Sequence, residues 1–175
     1  FTDEHCRITT GLRFKEVVAF WFTKHHIRHI DIDGFDELVI SRLCELIEQE
    51  GKLMPGVLES LIFFKEKGLK IGIGTSSNNR IMNTVVDVLK IRTYFDALCS
   101  AEHMTYGKPH PQVYLSCASE LDTEPVNCLV IEDSVNGIIA GKAAQMKVVA
   151  VPEEINKHNA KFSIADYKVS SLFEV

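Results

Sequence analysis

No run of apolar residues approaches the roughly 18 that a membrane-crossing helix needs, and no basic start leads into an apolar stretch and a small-residue cleavage site. Neither a membrane partner nor secretion is therefore expected. Cationic excess is missing too. The chain has 19 Lys+Arg against 24 Asp+Glu, a net charge of −5, with the basic residues scattered, so it lacks the footprint of a protein that neutralises several nucleic-acid phosphates. Glycine and proline are scarce, 10 and 5 among 175 residues, which excludes collagen-like and low-complexity classes. There is no Cys-x-x-Cys pair. Cys6, Cys44, Cys99, Cys117 and Cys128 are odd in number and far apart, which argues against a zinc site, a redox centre or a disulfide framework. Most lie in apolar runs, where a thiol acts as a small hydrophobe, and a reducing cytoplasm fits them best.

What is present is the composition of an ordinary globular chain, 46% hydrophobic and 25% charged, long enough to bury a core without staples. Its rhythm changes near Pro55. Over residues 11–50 the apolar positions recur at helical spacing: Val17, Val18, Phe20, Trp21 and Phe22 in one segment, Leu38, Val39, Leu43, Leu46 and Ile47 in a second. The residues between, 24–36, are polar and read as a connection. A small all-helical subdomain is expected over residues 1–54.

From residue 55 to 175 helix and strand alternate. Helices are expected at 57–67, 81–89, 111–121 and 134–144, with Gly68 ending the first. Short apolar strands are expected at 69–74, 97–100, 128–131 and 148–151, with 166–169 as a last edge strand. Alternation of this kind builds an α/β fold, a doubly wound, Rossmann-like parallel sheet with right-handed crossovers. Ligands of such sheets bind beyond the carboxyl ends of the strands, so the residues that follow each apolar run carry the functional information.

Three of these junctions stand out. Thr75-Ser76-Ser77-Asn78-Asn79 places hydroxyls and amides at a helix start, where unpaired backbone N–H groups and the helix dipole favour an anion. An N-cap at Ser77 or Asn78 is the plainer use, and the two coexist. Gly107-Lys108-Pro109-His110-Pro111 holds a lysine in a stiff backbone, able to aim one positive charge at a transferring phosphoryl group; a solvated loop lysine is the alternative. Glu132-Asp133-Ser134 puts two adjacent carboxylates beyond a buried strand. Their repulsion and their oxygen ligands point to Mg²⁺, while Asp133 or Ser134 as a helix cap is the alternative. Each group has a distinct task in phosphoryl transfer, and the argument rests on their convergence.

The order Ile-Gly-Thr-Ser-Ser-Asn-Asn, Gly-Lys-Pro-His-Pro-Gln-Val-Tyr and Val-Ile-Glu-Asp-Ser-Val-Asn-Gly resembles the haloacid dehalogenase superfamily. The likeness is greatest to its β-phosphoglucomutase-like branch and the hexose- and hexitol-phosphate phosphatases there. It covers nearly the whole chain. Thr10-Gly11-Leu12-Arg13 and Met54-Pro55-Gly56-Val57 look like landmarks of the family's cap domain. The resemblance implies that Thr75 and the Ser76 amide bind phosphate and that Lys108 holds phosphate and nucleophile together. It implies Asp133 as an Mg²⁺ ligand and Glu132 as a further ligand or an indirect partner. Arg13, in the cap, joins the substrate-binding candidates. The implied substrate is a small phosphorylated sugar or sugar alcohol; the oligomeric state is left open by the sequence, with a monomer as the default expectation.

One departure from the family pattern matters. The family's nucleophile is the first Asp of an Asp-x-Asp motif on an N-terminal strand, and no such strand is read here. Asp31-Ile32-Asp33-Gly34 copies the letters, but it lies in the helical region and reads as a loop and helix cap. The nucleophile is therefore expected upstream of Phe1, and the 175 residues alone are expected to be catalytically dead. Three alternatives remain open. They are a phosphomutase, a phosphate-binding relic without a nucleophile, and a signalling receiver domain, against which the order Thr75, Lys108, Glu132-Asp133 argues.

Overall fold

The computed structural model describes residues 2–27 and 32–175; for Asp3, Glu4, Cys6, Ile32 and Asp33 it describes the backbone only. Three helices come first: α1 (Asp3–Ile8), α2 (Phe14–Lys24) and α3 (Ile32–Glu50). Two helices were expected here, with a polar connection reaching residue 36. Instead α3 begins at Ile32, and Asp36 and Glu37 fall in its early turns, where carboxylates favour the positive end of the helix dipole. Of the Asp31-x-Asp33 letters, Asp31 and the Asp33 side chain lie outside the described residues.

The alternation then runs as the periodicity predicts: α4 (Val57–Glu66), β1 (Gly72–Thr75), α5 (Asn79–Val88), β2 (Ala97–Ser100), α6 (Gln112–Glu120), β3 (Leu129–Glu132), α7 (Val135–Ala143), β4 (Lys147–Ala150) and β5 (Tyr167–Lys168). β1 starts three residues later than its apolar run. The Asp96 carboxylate accepts from the Ile71 amide at 2.8 Å, so strand pairing opens only at Gly72 opposite Ala97. Thr75 thereby becomes the last residue of the strand rather than the first beyond it.

All pairings are parallel, so within each ladder the strands share one carboxyl end, and the ends of β1 and β3 line one cavity. They form two ladders, β1-β2 and β3-β4-β5. Among the described residues, β1 and β3 each pair along one edge only. α6 joins the halves: Val113, Tyr114, Cys117 and Ala118 share one buried cluster with Ala97 and Cys99 of β2, Val130 of β3 and Val148 of β4. Cys44, Cys99, Cys117 and Cys128 are free thiols. No helix among the described residues is long and apolar enough to cross a membrane.

Candidate active site

A cavity of about 500 Å³ opens at the carboxyl ends of β1 and β3. Its floor is Thr75, Ser76, Lys108, Glu132, Asp133 and Ser134, and a turn from the helical segment, with Thr10, Gly11 and Leu12, forms one wall. Three junctions separated by more than 20 residues in sequence thus meet in one hollow.

At the end of β1 the chain turns immediately. Thr75 Oγ1 accepts from the Ser77 amide at 3.0 Å, which leaves its hydroxyl proton free to donate. Asn78 is the N-cap of α5, its side chain accepting from the Arg80 amide at 2.7 Å. The cap reading of this segment therefore holds, and the hydroxyls still line the cavity. Glu102, beyond β2, pins the turn: it accepts from the Asn79 amide at 3.0 Å, from Asn79 Nδ2 at 2.8 Å, and from Asn78 Nδ2. Ser76 Oγ donates to the Gly11 carbonyl at 2.8 Å.

Lys108 is buried, only 6% exposed, and its ammonium donates to Glu132 Oε1 at 2.5 Å. The alternative of a solvated loop lysine fails. Glu132 is the hub of the site. Oε1 also accepts from the Tyr114 hydroxyl at 2.7 Å, while Oε2 accepts from the Asp133 amide at 3.0 Å and from the Ser134 amide and hydroxyl, each at 2.9 Å. A carboxylate has about four lone-pair sites, and five donors already surround this one. Of the two roles implied for Glu132, direct metal ligand or indirect partner, this geometry leaves room for the second. Burial works to raise its pKa, but the Lys108 charge and the hydrogen bonds from Lys108, Tyr114 and Ser134 prevail and hold it below the ordinary glutamate value.

Asp133 lines the cavity. Surrounding protein, and then the Glu132 charge, push its pKa above the ordinary aspartate value. Crowded like charge of this kind is relieved by a cation. Ser134 caps α7, its Oγ accepting from the Gly137 amide at 3.0 Å. Burial, and then the Glu132 charge, push the Tyr114 phenol well up, so it stays a donor.

Arg13 is not brought to the cavity. Its guanidinium donates to the Met104 carbonyl at 2.6 Å and to Glu16 Oε1 at 2.6 Å, tying the helical segment to the loop beyond β2. Its predicted place among the substrate-binding residues gains no support from this position. Sequence reasoning missed Tyr114, Gly137 and Glu102. Tyr114 sits within the lysine motif, but on the buried side of a helix its hydroxyl looks like one more core aromatic. A Cβ on Gly137 would stand 2.0 Å from Glu132, a closeness that no local pattern encodes.

The model of the haloacid dehalogenase-like hydrolase family matches residues 1–151. Hexitol phosphatase B of Escherichia coli (strain K12) is 41% identical over 167 residues, 95% of this chain and 75% of its own length. A phosphorylated carbohydrates phosphatase of Thermotoga maritima is 33% identical over 161 residues, 91% of this chain and 74% of its own. Among solved structures, CbbY of Rhodobacter sphaeroides in complex with phosphate superposes with a TM-score of 0.88 at 24% identity, covering 99% of this chain and 80% of that one. The β-phosphoglucomutase of Clostridium difficile gives 0.81 at 24% identity, over 100% and 78%. At such identity the two structures share the fold. The three motifs, their meeting in one cavity and the family match agree: the chain belongs to the haloacid dehalogenase-like hydrolases and is an enzyme of their phosphatase type.

Proposed function

We propose that the cavity hydrolyses a phosphate monoester of a hexose or hexitol, with Mg²⁺, through an aspartyl-phosphate on an aspartate outside these 175 residues. The observation that carries this reading is the buried Lys108–Glu132 pair, 2.5 Å apart, in the same hollow as Thr75 and Asp133. The Thr75 hydroxyl and the Ser76 amide would take two phosphate oxygens, and the Lys108 ammonium would offset negative charge growing on the phosphoryl group. Held by Glu132, that ammonium needs no reorganisation as the charge develops.

Among the described residues no group of three or more His, Cys, Asp or Glu converges as metal ligands. Mg²⁺ binds through one or two carboxylates and completes its shell with water and substrate phosphate. Asp133 is the residue of this chain that would hold it. When bound, the ion would neutralise phosphate oxygens.

The nucleophilic strand is proposed to lie between β1 and β3. Each has an unpaired edge, and a parallel strand there would end beside Thr75, Lys108 and Asp133. The sugar comes from the relatives: one is a hexitol phosphatase, and another, from Escherichia coli (strain K12) and 38% identical over 81 residues, a fructose-1-phosphate phosphatase. The four free thiols among the described residues fit a reducing compartment such as the cytoplasm.

Phosphate release from a panel of sugar and sugar-alcohol phosphates tests the reading. With the upstream segment attached, Mg²⁺-dependent release is expected, and it should vanish in Asp133→Ala and in the 175 residues alone. Glucose 6-phosphate formed from β-glucose 1-phosphate, with no phosphate set free, would overturn it in favour of a mutase.

A further inference from the structure

Thr75, Lys108 and Glu132 come from separate segments, and one side chain touches Lys108 and Glu132 and lies against Gly74, the neighbour of Thr75. Tyr114, near the start of α6, is 7% exposed. Its hydroxyl donates to Glu132 Oε1 at 2.7 Å, the same oxygen that accepts from Lys108. Its ring centroid lies 4.6 Å from the Lys108 ammonium. Its ring edge covers Gly74, the neighbour of Thr75, so closely that a Cβ there would stand 2.9 Å from Cδ1.

We propose that Tyr114 is the positioning residue of this site, fixing the direction of the Lys108 ammonium and its spacing from Thr75. The proposal rests on the phosphate-binding reading of the cavity. An ammonium is a point charge on a flexible stem with three rotating donors. An ion pair with Glu132 alone would set its distance to one oxygen and little else. The ring face gives the ammonium a second fixed contact, and the hydroxyl stops Oε1 from swinging away. Gly74 completes the arrangement, because any side chain there would push the ring off the strand.

The test uses orthophosphate as the probe, with binding to the chain followed by calorimetry, and the Lys108 ammonium observed by nitrogen-detected NMR. In the unaltered chain, the ammonium protons should be shifted upfield by the ring and should exchange slowly. Tyr114→Phe keeps the ring and removes the hydroxyl. It should stay folded, keep the upfield shift, speed ammonium exchange and bind orthophosphate about tenfold more weakly, the worth of a hydrogen bond to a charged group. Tyr114→Leu should also lose the shift. Orthophosphate affinity and ammonium exchange unchanged in Tyr114→Phe, with Thr75→Ala and Lys108→Ala both weakened, would overturn the Tyr114 role and leave the phosphate site standing. No weakening in Thr75→Ala or Lys108→Ala would overturn the phosphate site and this proposal with it. Should Tyr114→Phe not fold, the unaltered chain decides: absence of the upfield shift and of Overhauser contacts between the Tyr114 ring and the Lys108 side chain overturns the proposal.

Discussion

At the amino ends of the strands, Asp96 accepts from the Ile71 amide and from Lys65 at 2.6 Å, and Asp166 accepts from the Val148 amide at 2.9 Å, Lys142 at 2.7 Å and Lys147 at 3.0 Å. At the carboxyl ends, Glu132 collects Lys108, Tyr114 and the Asp133–Ser134 turn. The residue types are alike and the surroundings are not. Asp96 is 41% exposed and Lys65 31%, whereas Lys108 and Glu132 are 6% and 8% exposed. Carboxylates at the first end steady the entry of β1, β2, β4 and β5, Asp96 largely in water and Asp166 15% exposed. At the second end each charge of the buried pair has the other as its counter-charge, so losing one partner leaves the other buried without one. Ion pairs in water are worth little, and buried ones are demanding. A site that must present a fixed cation to a phosphate is served by the second kind.

The sharpest way to break this comparison is to remove one cation from each end. Lys108→Met leaves the Glu132 carboxylate buried without its counter-charge and should lower unfolding stability by about 3 kcal/mol or more. Lys65→Met removes the partner of an exposed Asp96 and should cost at most about 1 kcal/mol. Urea midpoints of the two variants measure the contrast. Equal losses would mean that the ends are energetically alike.

Acid distinguishes the ends by salt. Asp96 and Asp166 lie below the ordinary aspartate value, Asp96 through the Lys65 hydrogen bond and then the Ile71 amide, Asp166 through the Lys142 hydrogen bond and then the Val148 amide. Glu132 lies below the ordinary glutamate value against the opposing effect of burial. A lowered folded-state pKa gives stability that is complete above the unfolded value and lost as pH falls through the folded one. All three therefore weaken the fold in acid, below the usual carboxylate range. Asp133, raised in the fold, works the other way: its contribution is complete below its unfolded value and is lost as pH rises through the folded one. At about 1 M salt the screening length falls to about 3 Å, which should flatten the share of Asp96 most, that of the more sheltered Asp166 less, and spare that of Glu132. Stability measured from neutral pH down to about pH 3 should show a salt-insensitive loss that Glu132→Gln removes. Asp96→Asn with Asp166→Asn should remove a salt-sensitive one. A Glu132 share as sensitive to salt as the rest would place that carboxylate in water.

How much of this was legible follows from where the information lies. Apolar spacing records burial, so the alternation from α4 to β4 could be read, with β1 misjudged at its start because the Asp96–Ile71 bond that delays pairing is a contact 25 residues away in sequence. The start of α3 was hidden because polar residues at a helix beginning look like a loop. The Thr75, Lys108 and Glu132-Asp133 motifs were visible because phosphate chemistry demands unusual residue types at strand ends. Their internal division of labour was not. That Glu132 serves Lys108, and that Tyr114 serves both, depends on distances across the fold, and the bond from Arg13 to the Met104 carbonyl carries no mark in the sequence either.

The smallest expected effect concerns how the helical segment meets the carboxyl ends. The turn containing Thr10 and Gly11 is met there by side chains of the α/β part: Asn136 Nδ2 donates to the Thr10 carbonyl at 3.0 Å and Ser76 Oγ to the Gly11 carbonyl at 2.8 Å. Gly11 has a φ of +86°, and a Cβ on it would stand 3.0 Å from Ser134 Oγ, so the turn comes this close only with glycine. Because both acceptors are backbone carbonyls, the contact sets position with little dependence on side chains in the turn. Asn136→Ala removes one exposed hydrogen bond and should cost about 1 kcal/mol or less. Amide hydrogen exchange locates that cost. Faster exchange confined to residues 9–12 would mark the contact as a local fastening of the helical segment. Acceleration spreading into β1 and β3 would show instead that the turn bridges the two ladders, and the carboxyl ends would then owe their shape to the helical segment as well as to the buried charges beneath it.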